Sequence, residues 1–139
     1  MTRTRIYIPL NADGLRRVDV DGILAGAPIS AHAVTEAVRA AAPAAGRDDW
    51  EYAALKDAAQ SSGALLTSGE HRRIVAAADV TPDLVGPGPL DSTAASAVSI
   101  SGSVALQRIV SFHVGDGAAG DDDLLWYDVT ELPVILALL

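Results

Sequence analysis

Apolar and polar residues alternate in the opening Arg5-Ile6-Tyr7-Ile8, as in a half-buried strand, and the alternation stops at Pro9, which has no N–H to give a ladder. The same period of two predicts strands over 29–34, over 97–101 (Val98 and Ile100 against Ser99 and Ser101), over 109–114 and over 124–127. Residues 72–80, RRIVAAADV, are apolar through their centre and bounded by Gly69 and Pro82, the pattern of a central strand. A helical period appears over 48–66, where Tyr52, Leu55, Ala59, Ser62 and Leu66 recur at steps of three or four behind a cap at Asp48 or Asp49. Thr35 caps a shorter helix over 36–42 that Pro43 closes, and 15–18 and 106–108 read as single helical turns. Residues 81–95, with Gly86-Pro87-Gly88-Pro89, and the Gly- and Asp-rich 115–123 read as loops.

The last sixteen residues, LLWYDVTELPVILALL, fall into two pieces. A strand over 124–127 turns Trp126 and Tyr127 to opposite faces, one toward the core and the other toward a helix, an edge or an interface. A helix over 131–138 follows, apolar nearly all round. With Thr130 as its cap Pro133 falls at the third helical position, whereas a cap at Asp128 would place that proline too deep. So apolar a segment must dock on its own sheet or on a second copy, so a homo-oligomer formed through this helix is expected. Together the elements predict one α+β domain over 1–139: a mixed sheet of five to six strands, with helices, chiefly 48–66 and the last one, packed mainly on one face.

Composition narrows the function classes. The absence of cysteine removes disulfides, thiolate nucleophiles and Cys-based zinc sites. A formal net charge of −8 opposes nucleic acid, whose binding rests on Lys and Arg displacing counterions from phosphates. There is no signal-peptide core, and no window approaches the roughly eighteen apolar residues of a membrane span, so a cytoplasmic protein without a membrane partner is expected. Nine of the ten basic residues are Arg, which together with the Ala-rich runs reads as GC-rich codon usage.

Five segments carry a resemblance: Arg5-Ile6-Tyr7-Ile8-Pro9, A-H-A-V-T at 31–35, E-Y-A-A-L-K-D-A-A at 51–59, R-R-I-V-A-A-A-D-V at 72–80 and L-L-W-Y-D-V-T-E-L-P at 124–133. In their order and spacing the chain resembles a family of short, uncharacterised actinobacterial proteins classed as a domain of unknown function. The resemblance spans nearly the whole chain. It implies a small single domain in a bacterial cell, and brings no activity, cofactor or catalytic residue with it.

Chemistry-bearing residues are sparse. His32, His71 and His113 form no H-x-H or H-x-x-x-H pair, so metal ligation would require separate elements to converge. Phosphate-loop and nucleophile-elbow motifs are absent, and no cofactor is implied. The acidic loop 116–123 fits no EF-hand, and Glu51, Lys56 and Asp57 read as a solvated helix face. Arg72 and Arg73, at a strand start, can grip a carboxylate or phosphate or can simply protect a sheet edge. Two functions are therefore expected in competition. One is a non-enzymatic small binding or assembly module, a homodimer formed through its apolar last helix. The other is a small enzyme or ligand-binding domain whose pocket gathers His113, oriented by Asp116, with Arg72 and the Trp126-Tyr127 strand.

Overall fold

The structure, a computed structural model, describes residues 3–26, 28–89, 94–116 and 124–139, with only the backbone of Asp116. Strand β1 (Thr4–Leu10) leads into helix α1 (Ala12–Asp21), short β2 (Ile23–Leu24) and β3 (Ile29–Ala33). Helices α2 (Glu36–Ala41) and α3 (Arg47–Ala64) precede β4 (Arg72–Val80), β5 (Val85–Pro87), β6 (Ala97–Ile100), β7 (Val104–Ala105) and β8 (Ile109–Asp116). Strand β9 (Leu125–Asp128), a 3₁₀ turn over Val129–Glu131 and helix α4 (Leu132–Ala137) complete the chain.

Seven strands form one sheet in the order β5-β6-β3-β1-β4-β8-β9, and β2 pairs with β7 apart from it. The sheet is larger than the five to six strands expected, because β5 forms inside the stretch read as a loop. Three residues of that GP-rich segment suffice to pair with β6, and Pro87 is tolerated because β5 is an edge strand. Every described pairing is antiparallel, not mixed.

Helices cover both faces, where one face was expected. The register sets Ile6, Ile8 and Leu10 of β1 opposite Ala78, Ala76 and Ile74 of β4, and this face packs with Phe112, with Leu15 and Val18 of α1 and with Leu132 and Ile135 of α4. The other face carries Tyr7, Val75 and Ala77 beneath Ala54, Ala58 and Ala59 of α3. Alternation along β1 could not reveal this, since β4 is apolar on both faces and Ala76, Ala77 and Ala78 are all fully buried. The buried side of α3 matches the expected stripe only in part: Ala59 and Ser62 are buried and Leu55 packs beside them, but Tyr52 is 52% exposed, and the contact surface is small, Ala54, Ala58, Ala59, Ser62 and Gly63. Small side chains bring the helix axis close to the sheet, and fully buried Ser62 exploits that approach. Its hydroxyl donates to the Leu10 carbonyl (2.5 Å) and accepts from the Ile74 N–H (2.8 Å), stitching α3 to two strands at once.

Local chemistry moves several boundaries. The turn expected at 15–18 grows to the ten residues of α1 because the Asn11 carboxamide accepts from the Gly14 N–H (2.8 Å), and Gly22, at φ 72°, ends it in a left-handed cap. Helix α3 starts from Gly46, whose N–H donates to Asp49 (3.2 Å), so Asp49 acts one turn inside the helix and is not its cap. Asp128, set aside as a cap because of Pro133, is one after all. It accepts from the Thr130 N–H (2.9 Å) while Glu131 accepts from the Asp128 N–H (3.0 Å), and the intervening 3₁₀ turn lets Pro133 fall in the first turn of α4. The acidic stretch 117–123 lies outside the described residues. No helix among the described residues is long and apolar enough to cross a membrane.

Candidate ligand-binding site

Strands β1 and β3 pair only through Ile6 with Ala33 and Tyr7 with His32, although β1 runs on to Leu10 and β3 begins at Ile29. Pro9, without an N–H, stands where the ladder stops. A cleft of about 350 Å³ lies at this divergence, with Ile8, Leu10, Leu24 and Ile29 among its walls and Ser30, His32 and Ser61 as its polar side chains from β3 and α3.

Behind the wall runs a chain of hydrogen bonds. The Ser61 hydroxyl lies 2.8 Å from His32 Nε2, the Ser96 hydroxyl lies 2.8 Å from His32 Nδ1, and Ser96 donates to Asp57 Oδ2 at 2.7 Å. Proton counting orders it. An ionised Asp57 only accepts, so Ser96 spends its single proton there and must accept from Nδ1–H. Neutral His32 is then left with a lone pair on Nε2, which accepts from the Ser61 hydroxyl. His32 is only 6% exposed, and burial holds its pKa below the ordinary value of 6.5, with the Asp57 charge acting in the opposite sense.

This arrangement pairs a serine with an oriented base, but its setting does not suit acyl transfer. Ser61 lies in the last turn of α3, where the exposed backbone groups are carbonyls at the negative end of the helix dipole. A tetrahedral oxyanion requires converging N–H donors, which a helix C-terminus does not supply. The cleft instead offers an apolar body and a corner where the Ser61 hydroxyl, its proton directed at His32, can still accept a hydrogen bond.

The residues singled out from sequence take other places. His113 lies on the α3 face of β8, its Nε2 3.2 Å from the Ser111 hydroxyl, with its pKa lowered first by burial and then by Arg5. Trp126 pairs with His113 across β8 and β9 and is 61% exposed, while Tyr127 pairs with Phe112 and packs on the opposite face. The two aromatics thus diverge as strand geometry requires, and they do not share a pocket. Arg72 donates from Nε to the Leu138 carbonyl (3.1 Å), which ties β4 to the end of α4. The backbone of Asp116 pairs with Arg72, and its side chain lies outside the described residues. His32 and His113 share a sheet face but are separated by β1 and β4, three spacings of roughly 4.8 Å. No three His, Asp or Glu side chains among the described residues could hold a metal together.

Sequence reasoning missed Ser61, Ser96 and Asp57. One signal was present: Asp57 and Ser61 are four apart on α3 and so share a helix face. That His32 and Ser96 meet this face is a matter of strand pairing, as the Ala33 N–H donates to the Ser96 carbonyl at 2.9 Å.

The model of a family of unknown function, DUF6912, matches residues 4–122. The chain belongs to that family. In this DUF6912 protein the matched region contains the whole His32–Ser61 cleft and ends before β9, so the 124–133 segment that contributed to the resemblance falls outside it. No curated protein and no solved structure matches the chain.

Proposed function

We propose that this protein is a non-enzymatic binding module whose ligand sits in the cleft between β1 and β3. The observation that carries this is a largely apolar concavity with one convergent polar pair, a buried neutral histidine and the serine it accepts from. Because the corner supplies an acceptor at the C-terminal end of α3, the ligand is a small, mainly apolar molecule with a hydroxyl or amine that donates to it. Small aromatic and alicyclic alcohols and amines, screened by thermal shift and by the NMR signals of the His32 imidazole, test this. Saturable shifts that Ser61→Ala and a bulky Leu24→Trp each weaken are expected. The absence of any stabilisation across such a series at millimolar concentration would sink the reading.

Self-association is also proposed, with the edge strand β9 as the contact. Leu125 and Trp126 there are 65% and 61% exposed, whereas Leu132 and Ile135 of α4 are already spent on the chain's own core. A strand edge that has no partner strand among the described residues and is flanked by large apolar side chains favours antiparallel pairing with a second copy. Light scattering after size exclusion should give twice 14.3 kDa for the wild type and 14.3 kDa for Trp126→Glu; a wild-type monomer at micromolar concentration rejects the dimer.

A further inference from the structure

At the other end of α3 lies a second cavity, of about 390 Å³, whose walls include Arg3, Arg5, Arg39 and Arg47 together with Trp50 and Glu51. The chain has ten basic residues and a net charge of −8, so four of its few cations converge on one concavity of an acidic protein. Chance scatter of side chains kept on the surface for solubility would not place them so. They come from three elements or their flanks: Arg3 and Arg5 from the start of β1, Arg39 from α2 and Arg47 from the first turn of α3.

Two of the four are already committed. Arg5 Nε lies 2.6 Å from Asp79 Oδ1, in a second contact pattern that also brings Nη2 to Oδ2 at 3.3 Å, and Arg47 Nε lies 3.3 Å from Glu51 Oε1. Arg3 and Arg39 have no ion pair among the described residues, and the Arg39 guanidinium sits 5.9 Å from the centre of the Trp50 ring. The indole N–H of Trp50 donates to the Ala42 carbonyl at 3.0 Å, which fixes the ring plane beneath that guanidinium. An arginine at this distance from a ring keeps N–H groups that can fork onto oxygen. The surplus of acid elsewhere does not cancel this. Charges beyond a Debye length of roughly 8–10 Å are screened at physiological salt, whereas groups lining one cavity act together.

We propose that this cavity is an anion site for a phosphate ester, gripped by Arg39 and Arg3, with Arg5 and Arg47 held in its wall by Asp79 and Glu51 and Trp50 offering a flat wall to the organic part. The site is separate from the β1–β3 cleft, so either can fail without the other. In a Trp126→Phe background Trp50 is the single tryptophan and reports on the cavity directly. Titration with inorganic phosphate, AMP, ATP and citrate should give a saturable change in Trp50 emission for the nucleotides, strongest for ATP, weakest for phosphate alone. Arg3→Gln with Arg39→Gln should weaken ATP binding at least tenfold while the far-ultraviolet circular dichroism stays that of the parent. A change in emission with citrate as strong as with ATP would overturn the phosphate assignment. So would a flat titration with every nucleotide at millimolar concentration, or an ATP affinity indifferent to the double substitution.

Discussion

Removing the Ser62 hydroxyl should be far more damaging than the loss of one oxygen atom implies. Ser62 is fully buried, and its hydroxyl serves two backbone groups, the Leu10 carbonyl and the Ile74 N–H, that face each other across β1 and β4. In Ser62→Ala both lose this partner, and the tightly packed small-residue face of α3 leaves little room for a replacing water. A buried polar group deprived of its partner costs about 1–3 kcal/mol, so the pair together costs about 2–6 kcal/mol, against roughly 0.5–1.5 kcal/mol for an ordinary hydrogen bond lost. For a domain of this size about 3 kcal/mol corresponds to a fall in Tm of roughly 10 °C. Urea unfolding followed by circular dichroism measures it directly: the midpoint should drop with the slope unchanged, since the surface exposed on unfolding is the same. Ser62→Thr, which keeps the hydroxyl but adds a methyl against the sheet, separates lost bonding from packing. A Ser62→Ala loss below about 0.5 kcal/mol would refute the bridging role assigned to this hydroxyl.

Four further outcomes follow from the same geometry. His32 and His113 both have lowered pKa values in the folded state, so the unfolded chain takes up their protons first as pH falls below about 6.5. Stability should therefore be fully present above that pH and decline below it; His32→Gln should make the decline shallower, and an unchanged profile contradicts the burial argument. Ile135→Ala, at a fully buried position on α4, should cost about 2–5 kcal/mol in denaturant unfolding, and a cost near zero would mean that α4 does not dock on its own sheet. In Gly115→Ala the new methyl would stand 2.9 Å from Arg73 Nη2 and crowd the Leu124 side chain, so a destabilisation of about 1–3 kcal/mol is expected; a neutral variant would show that both neighbours can move. Ser61 should resist an activated fluorophosphonate at neutral pH, as judged by intact mass, because no oxyanion donors converge on it; stoichiometric labelling lost in His32→Gln would instead favour a hydrolase.

Much of the architecture was legible because it depends on local rules. Period-two alternation, the Thr35 cap and the alanine-rich helix all act within a few residues of one another, so the major strands and helices could be placed from the chain alone, although β1 runs through the expected stop at Pro9 to Leu10 because Pro9 stays paired with Val75 of β4. The family resemblance was carried by the same local segments. The chain also determined that Trp126 and Tyr127 face opposite ways, since a strand leaves no other choice.

Tertiary structure decided the rest, because it depends on which faces meet. β4 is apolar on both sides, so only the packing of α3 against one face and of α1 with α4 against the other shows that the sheet is sandwiched. Asp57, Ser61, His32 and Ser96 belong to three separate stretches, and only strand register together with the seating of α3 joins them into one proton-ordered chain. The four arginines at the far end of α3 are likewise ordinary one by one; it is the meeting of β1, α2 and α3 that brings them to one cavity. Hydrophobic periodicity encodes burial along an element, but the convergence of polar groups from distant elements is set by long-range packing, which no local pattern records.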